Sequence, residues 1–371
     1  MRRVVISTVG TSLLTNQADS QEEKQRLNNE ANCKDDQISS EVEGIITKLK
    51  EKASAKLKGT DAEIRKASAE LNGVYGLYKG NLKQGTEKGK QDLHFLIATD
   101  TTQGQATAQI VQSFLQDKGF IVEIPPLEKL STASTDNFTH GITELIKWID
   151  ETIPGYKKSG YEIYFNLVGG FKSLQAYVNT IGMFYANEII YIFEGHNSEV
   201  ITIPQLPIEV DKSAIKPAEF ALMAQGAWVK LAQLNDVPKK LLFIIDDEAT
   251  LTPWGRLIWN KCKDEILAGE LLHFPKLHYL QSFTDDCSQT KGDERVKLQE
   301  TLAKVSYLLT KHHGDTGALK RDGGLLYEVY TNKGGVAHFR VTQGLRVSCT
   351  TSKEELVLRR YGKEPEVNTN P

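Results

Sequence analysis

Three short segments carry the residue types that hold anions: STVGTSLLTN (7–16), ATDTTQGQA (98–106) and NLVGGFKS (166–173). Each ends a run of β-branched and apolar residues and leads into a helical pattern. Backbone N–H groups at a glycine turn and a helix start point outward together, and the helix dipole favours a negative charge there by about 0.3–1 kcal/mol. Gly10, Gly104, Gly169 and Gly170 let the backbone approach closely. Thr11, Ser12, Thr101, Thr102, Gln103 and Gln105 offer hydrogen bonds, and Lys172 a charge. Gly169-Gly170 by itself is accounted for by a tight turn with Lys172 in solvent; three polar strand ends in one chain favour a ligand site. The usual dinucleotide and nucleotide fingerprints are absent. V-G-T-S-L-L is not G-x-G-x-x-G, no acidic residue stands at a ribose position, and G-x-x-x-x-G-K-[ST] does not occur.

A second concentration of chemistry lies further along. LLYEVYT (325–331), GVAHFRVTQ (335–343) and LRVSCTTSK (345–353) alternate in polarity. Asn332-Lys333-Gly334-Gly335 and Gln343-Gly344 separate them, which predicts an antiparallel meander. Alternation sorts Ala337, Phe339 and Val341 from Val336, His338, Arg340 and Thr342, and Leu345, Val347 and Cys349 from Arg346, Ser348 and Thr350. One face packs on helices. The other gathers Tyr330, His338, Arg340 and Arg346, with Lys333 and Lys353 at strand ends. Basic residues outnumber acidic ones between 311 and 363, as on a surface that follows a phosphate backbone. Any one of these arginines alone would be read as solvated; a histidine and two arginines on one short face read as RNA binding or cleavage.

The elements that must position these groups follow from periodicity. Up to about residue 210 the chain alternates strands with helices: VVISTV, DLHFLIATD, FIVEIP, YEIYFNLV and EIIYIFEG against SSEVEGIITKLKEKA, DAEIRKASAELNGVYGLY, TTQGQATAQIVQSFLQDKG, NFTHGITELIKWIDETI and GFKSLQAYVNTIGMFYA. That predicts a parallel sheet covered on both faces, closed by a short strand near 199–211. Residues 211–273 read as compact helices, with LLFIIDDEAT as a strand or short turn and Thr252-Pro253 starting the helix after it. Residues 274–371 read as a helix, ERVKLQETLAKVSYLLTKH, a polar loop, the meander, a short helix EELVLRRYG and a frayed EPEVNTNP.

The bulk properties bound the answer. The 371 residues are 40% hydrophobic and 25% charged, with net charge −3, so no whole-chain argument for nucleic acid or membrane arises. No apolar run spans a bilayer, and MRRVVISTVG is too short for a signal peptide. Cys33, Cys262, Cys287 and Cys349 form no C-x-x-C pair, which points away from a zinc site and from a disulfide framework. A cytoplasmic protein without metal or cofactor is expected.

VVISTVGTSLLTN, ATDTTQGQA and NLVGGFKSLQAY, in that order, resemble the CARF domains of type III CRISPR ancillary proteins over roughly residues 1–210. The resemblance implies a Rossmann-like sensor that binds a cyclic oligoadenylate, most often cyclic tetra-adenylate, across the two-fold axis of a homodimer. A ring of even repeat is itself two-fold symmetric and suits an isologous interface. Carried over, Gly10, Thr11, Ser12 and Leu13 line the ring, Asn166, Gly169, Gly170, Phe171 and Lys172 hold its phosphates, and Thr101, Gln103, Gly104 and Gln105 lie at the rim. Some CARF domains also cleave their ligand, for which Ser12 and Lys172 are the candidates.

The L-T-x-x-G segment near 251–255 resembles a winged helix-turn-helix, read here as a connector. GALKRDGGLLYEVYTNKGGVAHFRVTQGLRVSCTTSK, following helices, resembles the RelE toxins over about 275–364. This implies a small α+β domain with an antiparallel sheet that cleaves mRNA in the ribosomal A site without metal. The reaction needs a base at the 2′-hydroxyl, positive charge on the phosphate and an acid at the leaving 5′-oxygen. His338, with an ordinary pKa of about 6.5, suits base or acid. Arg340 and Arg346 suit the phosphate, Lys353 and Lys333 further contacts, and Tyr330 stacking or proton donation. The HEPN nucleases need an arginine four to six residues before a histidine, and no histidine here has one. The expectation is an α/β chain of three domains, 1–210, 211–273 and 274–371, acting as a ligand-gated endoribonuclease. The alternatives are a transcription regulator and a ring nuclease that only senses or degrades cyclic oligoadenylate.

Overall fold

The computed structural model describes residues 2–87, 91–192 and 199–371, and the chain divides into two compact units, Met1–Glu209 and Val210–Pro371. In the first unit, β1 (Arg3–Thr8) is followed by α1 (Ser12–Thr15), α2 (Gln21–Asn29), α3 (Ser40–Lys56), α4 (Asp61–Ala67) and α5 (Ala69–Leu77). Strand and helix then alternate as β2 (Leu93–Ile97), α6 (Thr102–Asp117), β3 (Ile121–Glu123), α7 (Thr135–Lys158), β4 (Glu162–Asn166), α8 (Lys172–Tyr185) and β5 (Glu188–Ile192), ending with β6 (Val200–Pro204).

The sheet order is β3-β2-β1-β4-β5-β6, parallel throughout except for β6, which runs antiparallel to β5. A parallel strand is covered on both faces, which is why Val4, Val5 and Ile6 are all fully buried. One cover is α7, whose Ile142, Leu145, Ile146, Ile149 and Ile153 recur at helical spacing and are all fully buried. Chain order reverses between β1 and β4. In open α/β sheets that switch point, at the carboxyl ends of the strands, leaves a crevice.

The helix expected over DAEIRKASAELNGVYGLY is two helices. Ser68 is extended (φ −134°, ψ 120°) and its hydroxyl caps α5 by accepting from the Leu71 N–H. Of the predicted strand EIIYIFEG, Phe193 to Gly195 lie outside the described residues.

The second unit begins with α9 (Pro217–Ala224) and β7 (Val229–Lys230), followed by the hairpin β8 (Leu242–Ile245) and β9 (Glu248–Leu251), and α10 (Pro253–Leu267). Then come β10 (Leu277–Tyr279), α11 (Gln281–Ser288), α12 (Gly292–Lys311), α13 (Gly317–Arg321), β11 (Glu328–Val329), β12 (Ala337–Arg340), β13 (Leu345–Ser352), β14 (Glu355–Lys363) and α14 (Glu364–Thr369). A three-stranded sheet has the order β7-β9-β8, and a five-stranded sheet the order β10-β14-β13-β12-β11. Phe220, Trp259, Phe283, Leu302 and Phe339 belong to one continuous core, so residues on both sides of 273 share it.

Thr252 caps α10 through the Gly255 N–H, as Thr-Pro predicts. Between β7 and β8 stand two three-residue 3₁₀ turns, Leu231–Gln233 and Lys239–Leu241. EELVLRRYG is β14 and not a helix: it pairs with β13 on one side and β10 on the other, and this tertiary pairing overrides the local helical preference. EPEVNTNP is not frayed. It forms α14, with Pro365 in its first turn and Val367 only 3% exposed. The polar loop after α12 contains the short α13.

Phe339, on β12 of the five-stranded sheet, is fully buried. Phe339→Ala is expected to cost the second unit about 3–5 kcal/mol, read as a lowered urea midpoint of that unit's transition.

Candidate functional site

The two glycine loops of the first unit meet at the switch point. β1 leads through Val9 into Gly10, and β4 through Leu167 into Gly169-Gly170. The Gly169 carbonyl accepts from Thr8 Oγ1 at 2.5 Å and from Gln175 Nε2 at 2.8 Å. Because a peptide is planar and trans, the N–H of Gly170 must point the other way. Gly170 has φ +99°, and a Cβ there would stand 2.9 Å from Thr8 Cβ. A Cβ on Gly10 would stand 3.2 Å from the Gly170 nitrogen, and one on Gly169 would run into the Glu70 carboxyl. Only glycine fits these three places.

Glu70 of α5 is the residue on which the loops rest. Its carboxyl is 1% exposed, accepts from the Gly10 N–H at 2.6 Å and receives the Ser68 hydroxyl at 2.8 Å. Burial pushes its pKa above the ordinary value of 4.5, against the pull of those two donors. Asn166 is fully buried and donates to Ser7 Oγ and to the Glu70 carbonyl, tying β1, β4 and α5 together. Beside this crossing, α8 starts without a side-chain cap, because its N-cap is Phe171. Its first-turn N–H groups therefore face outward next to the exposed Lys172. Thr11 and Phe171 are half-buried and Ser12 is exposed, while Leu13 belongs to the core.

The third loop is filled by the fold. The Thr102 N–H donates to the Cys33 carbonyl at 3.0 Å, and Gln103 Nε2 to the Leu27 carbonyl at 2.7 Å. Gln105 Nε2 donates to the Thr99 carbonyl at 3.0 Å, and Thr101 caps α6 through the Gly104 N–H. The structure thus brings together Gly10, Thr11, Ser12, Gly169, Gly170, Phe171 and Lys172; Thr101, Gln103, Gly104 and Gln105 stand in the loop after the neighbouring strand β2, their polar groups engaged by the fold.

In the second unit the meander register places His338 opposite Ser348 and Arg340 opposite Arg346, with Glu328 opposite His338. The Tyr330 and His338 rings lie 4.5 Å apart, and Lys333 Nζ stands 5.9 Å from the Tyr330 ring centre. Burial lowers the His338 pKa, with Arg346 acting in the same direction and Glu328 and Glu364 against it. His338 is therefore held neutral near pH 7. Burial pushes the Tyr330 hydroxyl up to about 12, so it stays a donor.

Arg346 is 7% exposed and pairs with Glu364 at 3.0 Å, while also reaching the Thr342, Gln343 and Leu345 carbonyls. Arg360 makes a two-point pair with Asp286. Arg340 donates to the Gly324 carbonyl at 3.2 Å and has no carboxylate within ion-pair distance among the described residues. Lys353 is exposed at the β13–β14 turn, five residues and about 16 Å along the strand from Ser348. It stands apart from the Tyr330–His338 cluster.

Two atoms in the middle of this face are buried without a partner among the described residues: His338 Nδ1 and Ser348 Oγ. Leaving such a group unpaired costs about 1–3 kcal/mol. Sequence reading missed Glu70 and Ser348. Glu70 is the one charged residue in α5, which was its only signal; Ser348 showed only as one polar position in an alternating strand.

A family model described as CRISPR-associated protein (Cas_APE2256) matches residues 65–206. That segment contains Glu70, Asn166 and the Gly169–Lys172 loop. A crystal structure of YafQ from E. coli strain BL21(DE3) aligns at 16% identity, over 25% of this chain and 97% of that one. Its TM-score is 0.19, and a likeness of that size carries no argument about fold or chemistry. No helix among the described residues is long and apolar enough to cross a membrane. No group of three His, Cys, Asp or Glu side chains among them is placed to hold a metal ion.

Because the folded-state pKa of Glu70 is raised, its contribution to stability is present at low pH and is lost as pH rises above 4.5 toward the folded-state value. Glu70→Gln should flatten this slope, so that the stability difference between variant and parent shifts in favour of the variant from pH 5 to 8. Paired urea titrations at each pH measure it.

Proposed function

We propose that the chain is a CRISPR-linked effector whose first unit senses a cyclic oligoadenylate and whose second unit cleaves RNA. The observation that carries the sensor half is the pair of glycine loops at the β1/β4 switch point, beside the uncapped start of α8 and Lys172; the second loop and α8 lie in the segment similar to a CRISPR-associated family. The ligand is read as cyclic tetra-adenylate, bound across the two-fold axis of a homodimer. Its phosphates lie on the N–H groups of Gly170 to Lys172, and its ring lies over Thr11 and Ser12.

The nuclease half rests on the strand face around His338. Neutral His338 takes the proton from a ribose 2′-hydroxyl as that oxygen bonds to the adjacent phosphorus. The P–O5′ bond breaks, giving a 2′,3′-cyclic phosphate and a 5′-hydroxyl. Tyr330, protonated at working pH, gives its proton to the departing 5′-oxygen, and Arg340 stabilises the charge gathering on the phosphate. The substrate is read as mRNA on the ribosome.

The deciding experiment adds cyclic oligoadenylates of each ring size to a translating extract and maps mRNA ends. Cleavage is expected with the tetra-adenylate and not without ligand; intact mRNA with every ring size overturns the reading. Lys172→Glu places a negative charge at the α8 start and should weaken ligand binding at least about tenfold by calorimetry. His338→Ala should abolish mRNA cleavage while leaving ligand affinity unchanged. The parent rate should fall only below pH 6.5, since the His338 pKa lies under its ordinary value.

A further inference from the structure

Three side chains of the candidate nuclease face, Tyr330, Lys333 and Arg346, are held by α14. Asn368 Oδ1 accepts the Tyr330 hydroxyl at 2.6 Å. Lys333 Nζ donates to the Asn368 and Thr369 carbonyls, both at 2.9 Å, where the end of a helix is most negative. Glu364 holds Arg346, and Arg359 reaches the Pro371 carbonyl at 3.3 Å. Val367 supplies the apolar contact, at 3% exposure. The segment thus takes up a cation, a phenol and a guanidinium that an RNA phosphate and base would otherwise engage.

The fit is imperfect in an informative way. Ser348 is fully buried, and its Oγ, His338 Nδ1 and Arg359 Nε have no partner. A permanent structural cover would be expected to satisfy the groups beneath it. Unpaired donors and acceptors in the strands that α14 packs on, and in β12 beside them, mark a face shaped for a different, polar occupant.

We propose that α14 is a displaceable cover over the nuclease face, and that Ser348 is a further substrate-contacting residue, paired with His338, which the cover withholds. The proposal rests on the nuclease reading above and adds its regulation.

The test uses the full chain without activating ligand and a fluorescein-labelled single-stranded RNA, with affinity read by anisotropy. Val367→Asp removes the apolar anchor, and Asn368→Ala with Glu364→Gln removes two polar ones. Both should raise RNA affinity at least about tenfold. Hydrogen exchange of the β13 amides should rise in parallel. Adding Ser348→Ala to the opened variants should reverse the gain severalfold. Ser348→Ala alone should leave the melting temperature equal or higher, since it deletes an unpaired buried hydroxyl.

If β13 exchange rises while RNA affinity stays at the parent value, the cover is overturned. In that case, His338-dependent cleavage by the ligand-activated parent would leave the nuclease reading standing. If neither the opened variants nor the activated parent bind or cut any RNA, both fall. Should Val367→Asp fail to fold, the polar double variant decides alone.

Discussion

The carboxyl of Glu70 sits where two glycine loops cross, and the geometry of the first unit's site depends on it. It satisfies the Gly10 N–H, abuts Gly169, and is itself held by the Ser68 hydroxyl. Burial raises its pKa above the ordinary 4.5, against the pull of the Gly10 N–H and the Ser68 hydroxyl, so the crossing is built on a carboxyl that gives up its proton less readily than a free one. That choice has a consequence for anions. A fully charged Glu70 under the loops would repel a phosphate arriving above them, whereas a neutral one leaves the outward N–H groups of α8 and Lys172 to set the local potential.

The two candidate faces solve opposite problems. At the β1/β4 crossing, interior demands are met by Thr8, Gln175, Asn166 and Glu70, and the groups that face outward are left over. On the meander, several polar groups of the face are already engaged within the unit: Tyr330, Lys333 and Arg346 by α14, and Arg340 by the Gly324 carbonyl. His338 is held neutral by burial, and the cations around it are turned toward carbonyls and carboxylates of the same unit. The first arrangement leaves donors facing outward; the second turns them toward groups of its own unit.

Much of the first unit was legible because parallel strands announce themselves. VVISTV and YEIYFNLV are apolar on both faces, and their carboxyl ends carry glycine. What escaped were long-range hydrogen bonds. That Gln103 reaches Leu27, and that the Cys33 carbonyl takes the start of α6, depends on where the segment between α1 and α3 folds back. In the second unit, alternation correctly put Phe339 inside and His338 on the other face. It assumed that this other face meets solvent. Ser348 and Arg346 are buried there because Glu364 to Pro371 fold over them, and a stretch with one apolar residue among prolines and asparagines gives no periodic signal. EELVLRRYG became a strand for a related reason: the edge of β13 and the free side of β10 both needed a partner.

The energetics of α14 follow from the same contacts. Val367 burial contributes about 1.5–3 kcal/mol. The Tyr330–Asn368 and Lys333–carbonyl hydrogen bonds add about 1 kcal/mol each, and the half-exposed Glu364–Arg346 pair about 0–1. Against this stand the unpaired His338 Nδ1, Ser348 Oγ and Arg359 Nε, at about 1–3 kcal/mol each. Gain and cost are of the same size, which is what the proposal of a displaceable α14 requires. A change of that order elsewhere in the molecule, or a polar ligand that pairs the three orphaned atoms, is enough to move the balance.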